Sequence, residues 1–139
     1  MNVAEITKSA KVFDLAADRC SEPRPLPENK IQMLAVPAVV CRAFAAEIGL
    51  KALICGAGGT GRGHDLAKLF RQLPQGVRDS LFAATGLSQT QFQSELTGVA
   101  HAFIEWRYVY EADTCNINFN FLTNFEKAIV GLLPANEDA

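Results

Sequence analysis

The sequence predicts an all-α fold, an antiparallel bundle of four or five helices in a single domain that spans residues 1–139. Three observations support this prediction. Apolar residues recur at helical spacing in several segments, and no segment shows a convincing strand alternation. The chain of 139 residues is also long enough to bury one hydrophobic core, with 49% apolar and 20% charged residues as in ordinary soluble domains.

The first predicted helix covers about residues 2–19, where apolar side chains follow helical spacing. It ends in a Pro-rich connection over residues 20–30, because the prolines there cannot continue a helix and favour an extended chain. A second helix begins at about residue 31 or 36 and extends to 55. Pro37 suits the first turn of that helix better than its interior.

Residues 56–63 form a predicted Gly-rich loop, because five glycines in eight positions exclude a helix interior. A third helix begins at His64 or Asp65 and ends before Pro74, whose ring disfavours helix in the preceding residue. A short helix is expected over residues 75–85.

The longest predicted helix begins after Ser88 and extends to about Glu111. Ser88 and Gln91 have the spacing of a capping box, which favours a helix start at this point. A turn over residues 113–116 leads to the last helix, at about 117–133. Residues 134–139 are expected to form a flexible polar tail.

The formal net charge of −2 gives no overall attraction to nucleic acid or anionic lipid. Cys20, Cys41, Cys55 and Cys115 lie apart, without a C-x-x-C pair or histidines at zinc-ligand spacing. We therefore expect free intracellular thiols and no bound metal. The N-terminal segment lacks the apolar core of a signal peptide, and no apolar run approaches the ~20 residues of a membrane span. The expected location is cytoplasmic, with no membrane partner.

The Gly-rich loop has two competing interpretations. Residues 56–61 match the dinucleotide pattern G-x-G-x-x-G, which requires a strand before the loop and a helix after it. The apolar residues before the loop instead keep helical spacing back to Val36, and no second strand follows to complete a βαβ unit. The sequence favours a connection between two helices, without a cofactor. Dinucleotide binding remains the less favoured alternative.

Two charged residues interrupt the apolar stripe of the second helix. Glu47 and Lys51 lie one turn apart in the middle of that stripe, where an isolated buried charge would be costly. Arg107 lies at the edge of the stripe on the long helix, with Glu111 one turn later. We expect these four residues to meet as a polar cluster with Tyr110 nearby. Such a cluster could be a structural ion-pair network or a ligand-binding or catalytic site.

Two further candidates follow the loop. His64 could act in catalysis, because imidazole titrates near neutral pH. It also lies with Asp65 at a helix start, where a capping role is an equally valid interpretation. Both residues are included in the candidate ligand-binding or polar cluster.

Three segments resemble the HEPN superfamily of small all-α domains. Residues 46–53 (AEIGLKAL), a loop and residues 63–70 (GHDLAKLF) resemble the family's helix pair E-x-x-L-K-a-L-L, loop, H-D-L-x-x-L. Residues 102–111 (AFIEWRYVYE) resemble the later helix that carries the family's arginine, which matches Arg107. Many members of the superfamily are metal-independent endoribonucleases with an R-x(4–6)-H motif, often in toxin–antitoxin or other defence systems. Others are inactive and bind nucleotides or partner proteins.

The histidine of that motif is missing here, since its three possible positions hold Ala112, Asp113 and Thr114. The resemblance therefore implies a non-catalytic HEPN-like module that binds a partner protein, a nucleotide or RNA and forms a homodimer. The alternative is a divergent metal-independent endoribonuclease that works as a homodimer. Its candidate catalytic residues would be Arg107, His64 and Glu111.

Overall fold

A computed structural model describes residues 2–112 and 114–135, and it confirms the predicted all-α fold. Asp113 of the predicted turn and residues 136–139 of the predicted tail lie outside the described residues. The helices are α1 (Val3–Cys20), α2 (Ala35–Gly56), α3 (Leu66–Arg71), α4 (Gln75–Thr85), α5 (Gln89–Val99), α6 (Ala102–Arg107) and α7 (Phe119–Gly131). A 3-10 helix covers Val109–Glu111, and two short strands, β1 (Arg24–Leu26) and β2 (Lys30–Gln32), separate α1 from α2.

Helix α2 is the centre of the fold, and α1, α3, α6 and α7 all pack against it. Its sequence is rich in alanine and in larger apolar residues on every side, as expected for a helix that is surrounded by others. Gly49 of α2 packs directly against α7. A Cβ atom there would meet the Cγ2 atom of Ile129 at 2.6 Å, so only glycine allows this packing distance.

An aromatic cluster holds the second half of the chain together. Phe92 of α5 lies beside Phe70 of α3 and beside Phe121 and Phe125 of α7, with ring centroids 5.2, 5.9 and 6.0 Å apart. These four side chains are nearly excluded from solvent. Aromatic rings bury large apolar areas and favour such offset and edge contacts, so this cluster fixes α3 and α5 against α7.

The Pro-rich connection contains a β-hairpin that the sequence analysis did not predict. β1 and β2 pair in antiparallel register, with Pro25 opposite Ile31. Glu28 and Asn29 at the tip have φ values of 64° and 59°, the left-handed conformation that reverses the chain in tight hairpins. All six strand residues are exposed, so neither face of the hairpin is buried and no apolar alternation marks it in the sequence.

The single long helix predicted from Ser88 to Glu111 is wrong, because α5 ends at Val99 and α6 begins at Ala102. The predicted start is confirmed, since Ser88 and Gln91 form a reciprocal capping box. The break follows from a competing hydrogen bond. The carbonyl of Ala100 accepts from the backbone N–H of Leu66 at 2.9 Å, at the start of α3. Residues 102–111 therefore form a separate short helix and a 3-10 turn, although Phe103 and Trp106 still pack against the same core as α5.

Candidate functional site

The Gly-rich loop folds back onto the end of α2. Gly58, Gly61 and Gly63 have φ values of 94°, 53° and 99°, a region that side chains disfavour. Gly59 donates its N–H to the carbonyl of Ile54 at 2.9 Å, and a Cβ atom on Gly59 would lie 2.7 Å from the Cγ2 atom of Ile54. The backbone path thus explains why this loop is so rich in glycine.

The dinucleotide interpretation loses its structural basis at the same place. The fingerprint needs a strand immediately before its first glycine. Residues 35–56 instead form α2, and the first glycine of the pattern, Gly56, is the last residue of that helix.

Glu47 is the centre of the first polar group, and its side chain is only 1% exposed. Lys51 Nζ lies 3.3 Å from Glu47 Oε2, and His64 Nδ1 lies 3.1 Å from both carboxylate oxygens. Gly61 packs directly against Lys51, since a Cβ atom on Gly61 would lie 3.3 Å from Lys51 Cα. We call Glu47, Lys51 and His64 the Glu47 group. These contacts hold the Gly-rich loop against α2, and the His64 side chain is 56% exposed.

Asp65, and not His64, is the residue that caps the start of α3. Its carboxylate accepts from the backbone N–H of Lys68 at 3.0 Å. The same carboxylate lies 3.6 Å from Nε2 of His101, which is at the junction of α5 and α6. Both histidines of the chain therefore lie beside Asp65, one next to it in sequence and one across the helix junction.

Arg107 lies on the exposed side of α6, apart from the Glu47 group. Its guanidinium covers the ring of Phe103 at 4.5 Å and approaches that of Tyr108 at 5.3 Å. Phe103 in turn stacks on Phe44 of α2, with centroids 4.6 Å apart. Among the described residues, the contacts of the Arg107 guanidinium are with aromatic rings, and no carboxylate there pairs with it.

The structure divides the predicted polar cluster in two. Within residues 2–112 and 114–135, no ion pair joins Arg107 or Glu111 to Glu47. Glu111 is exposed, and Tyr110 is 76% exposed. The break between α5 and α6 explains this outcome, since it changes the direction in which residues 102–111 project.

A second polar group went unrecognised in the sequence. Arg42 of α2 is 2% exposed, and its guanidinium lies 3.0 Å from Asp14, 2.8 Å from Asp18 and 3.3 Å from Glu126. Lys127 also pairs with both aspartates, at 2.8 and 2.6 Å. We call these five residues the Arg42 group. It joins α1, α2 and α7. A signal was present, because Arg42, like Glu47, interrupts an apolar stretch of the second helix.

Glu126 has an unusual protonation equilibrium. It is fully buried, and burial raises its pKa to about 8, with a further contribution from the hydrogen bond to Asp14. Arg42 opposes this shift but does not cancel it, because its shortest contacts are to the two aspartates. With Glu126 neutral, Asp14 and Asp18 balance the charges of Arg42 and Lys127. The Arg42 group therefore stabilises the packing of α1, α2 and α7.

The described residues contain neither a metal-ligand cluster nor a membrane-spanning helix. No group of three or more His, Cys, Asp or Glu side chains in that part of the chain is arranged to hold a metal ion. Over the same residues, no helix combines the length and the apolar character that a membrane span requires.

Comparison of the chain with protein-family models, with curated proteins and with solved structures gave no match. The HEPN resemblance therefore stays a prediction from its motifs.

Proposed function

We propose that this chain is a non-catalytic, HEPN-like interaction module that pairs with a second copy of itself. The proposed contact is the α6 surface, which consists of Ile104, Glu105, Arg107, Tyr108, Tyr110 and Glu111. One observation carries the proposal: the large side chains of Ile104, Tyr108 and Tyr110 are exposed around an arginine that aromatic rings already hold in place. Tyrosine and arginine are enriched in the cores of protein–protein interfaces.

The charges of the α6 surface favour a protein partner over nucleic acid. Glu105 and Glu111 are exposed near Arg107 in sequence, so the surface carries both signs of charge. A groove that follows a phosphate backbone needs several basic residues, and the chain as a whole has a net charge of −2.

The same mixture of charges favours a second copy as that partner. In a two-fold symmetric dimer one surface must be complementary to itself. Arg107 of one copy can meet Glu105 or Glu111 of the other, while the exposed tyrosines pack across the axis. Because the guanidinium is already held by Phe103 and Tyr108, little side-chain freedom is lost on pairing.

Light scattering coupled to gel filtration tests this proposal. The wild-type protein is expected to elute as a dimer, and Arg107→Glu as a monomer with an unchanged helical circular dichroism spectrum. Arg71→Glu is the matched control, since Arg71 is an exposed arginine on α3. A wild-type monomer at every concentration tested would overturn the proposal, and so would dimers of equal stability in all three proteins.

A second candidate function is the binding of single-stranded RNA. The observation that favours it is the stacked pair of Arg107 and Tyr108, because unpaired bases stack on tyrosine rings and on guanidinium planes. Fluorescence anisotropy with a short labelled RNA tests this function. Binding that Arg107→Ala weakens and Arg71→Ala does not would support it.

The divergent endoribonuclease remains the alternative from another class. Incubation of the purified protein with RNA, beside the Arg107→Ala and His64→Ala variants, separates it from a binding module. Cleavage that both substitutions abolish would replace the non-catalytic proposal. Intact RNA after incubation with the wild-type protein agrees with that proposal.

A further inference from the structure

Two of the four cysteines face each other across the contact between α1 and α2. These helices run antiparallel, as two contacts show: Phe13 packs on Phe44 with centroids 4.6 Å apart, and Asp18 pairs with Arg42 at 2.8 Å. The same register, continued along α1, brings Cys20 opposite Cys41. The Cys20 and Cys41 side chains are close enough to interact electrostatically.

The Cys20 side is open to small molecules. Cys20 lines a surface cavity of about 320 Å³ between the end of α1 and the β-hairpin, and both thiols are partly exposed. Arg19, Glu22 and Arg24 line the same cavity, and the Arg24 guanidinium lies 3.7 Å from the Glu22 carboxylate.

The environment of Cys41 differs from that of Cys20. Burial raises the pKa of the Cys41 thiol, and the neighbouring Cys20 raises it further. Cys41 therefore stays protonated while Cys20, at the cavity, is the first to meet an oxidant. Such an asymmetric pair has the arrangement of a reacting thiol with a resolving thiol beside it.

We infer that Cys20 and Cys41 form a reversible thiol–disulfide pair that responds to a hydroperoxide such as hydrogen peroxide. The Cys20 thiolate attacks one peroxide oxygen and becomes a sulfenic acid, and the hydroxide that leaves takes up the thiol proton as water. The Cys41 sulfur then attacks the sulfenic sulfur, the S–S bond forms, and a second water leaves. Two thiols are oxidised by two electrons, and the peroxide is reduced to two waters. A dithiol reductant restores the pair.

The position of the pair allows this bond and gives it an effect. Cys20 is the last residue of α1, so its backbone can shift as the sulfurs close to the covalent distance of about 2.05 Å. The disulfide would close a covalent loop over residues 20–41, and this loop contains the β-hairpin. By restricting the unfolded chain, a loop of this size is expected to raise Tm by roughly 5–10 °C.

The decisive experiment uses the Cys55→Ser/Cys115→Ser double variant, which keeps only the proposed pair. After treatment with hydrogen peroxide we expect a mass decrease equal to two hydrogens, a disulfide-linked peptide that contains Cys20 and Cys41, and the higher Tm. Dithiothreitol should reverse all three changes.

Addition of Cys20→Ser to the same variant should remove the intramolecular bond and the rise in Tm. Oxidation of either thiol to sulfinic or sulfonic acid without a disulfide would overturn the inference. So would a bond between two chains, or two thiols that remain free. The Cys55→Ser/Cys115→Ser variant by itself distinguishes these outcomes, so the test needs no substitution at Cys41.

Discussion

Glu126 offers a sharp test of the buried charge arrangement, because its protonated form is favoured by folding. Its pKa rises from the ordinary 4.5 to about 8 in the folded protein, chiefly because it is fully buried. Between these pH values the folded chain keeps a proton that the unfolded chain has released. The stabilising contribution is therefore complete below about pH 4.5 and is lost as the pH rises through about 8.

The size of the effect follows from the shift. One pKa unit corresponds to about 1.4 kcal/mol, so between about pH 6 and about pH 9 this residue lowers the free energy of unfolding by about 3 kcal/mol. Glu126→Gln removes the titrating group but keeps its shape and a neutral side chain. We therefore expect the variant to match wild type near pH 4, to be more stable by about 2 kcal/mol near pH 6 and to be more stable by about 5 kcal/mol near pH 9.

Urea unfolding at several pH values measures this difference directly. Glu22→Gln serves as the control, because Glu22 is an exposed glutamate, and its pH dependence should follow that of wild type. Parallel curves for wild type and Glu126→Gln over this pH range would refute the reasoning. A large loss of stability in Glu126→Gln near pH 6 would also refute it, since that result requires an ionised Glu126 paired with Arg42.

Three further predictions concern the residues that hold the bundle and its loop in place. Arg42→Met removes the buried one of the two cations that Asp14 and Asp18 share and should cost about 3 kcal/mol, whereas the exposed control Arg71→Met should change stability by about 0.5 kcal/mol or less, both by urea unfolding. Gly61→Ala should cost about 1–2 kcal/mol, because φ is 53° and Lys51 lies against the new Cβ atom, whereas Gly76→Ala in α4 should be neutral or slightly stabilising. Glu47→Gln weakens the attachment of the loop and should speed amide hydrogen exchange over residues 57–65, with no change in α1. A loop as well protected in that variant as in wild type would contradict the role given to Glu47.

Much of the fold follows from local signals in the sequence. The helical periodicity, the capping box at Ser88 and the cap at Asp65 are all recognisable because they depend on neighbouring residues. The break after α5 depends instead on one bond between distant residues, from Leu66 to Ala100, and no local pattern encodes it. The hairpin was missed for a related reason, since both of its faces are exposed.

The candidate site shows the same limit. The unusual placement of Glu47 and Lys51 in an apolar stripe correctly indicated a buried polar contact, but the partner that reaches them is His64. The prediction that Arg107 is that partner assumed one continuous helix from Ser88 to Glu111, which the break after α5 interrupts. Arg42 gave the same signal as Glu47, yet its partners come from the two ends of the chain, and their meeting depends on the tertiary fold.

The central claim, that the α6 surface joins two copies of this chain, is tested most directly by exchanging its charges. Arg107→Glu and Glu105→Arg/Glu111→Arg should each be monomeric alone, because like charges would then face each other across the two-fold axis. Mixed in equal amounts, they should form a heterodimer, since every facing pair is again opposite in charge. Native mass spectrometry of the mixture distinguishes the outcomes. A heterodimer as the main species is the predicted result. Two variants that each dimerise as wild type does, or a mixture that stays monomeric beside a dimeric wild type, would contradict the claim.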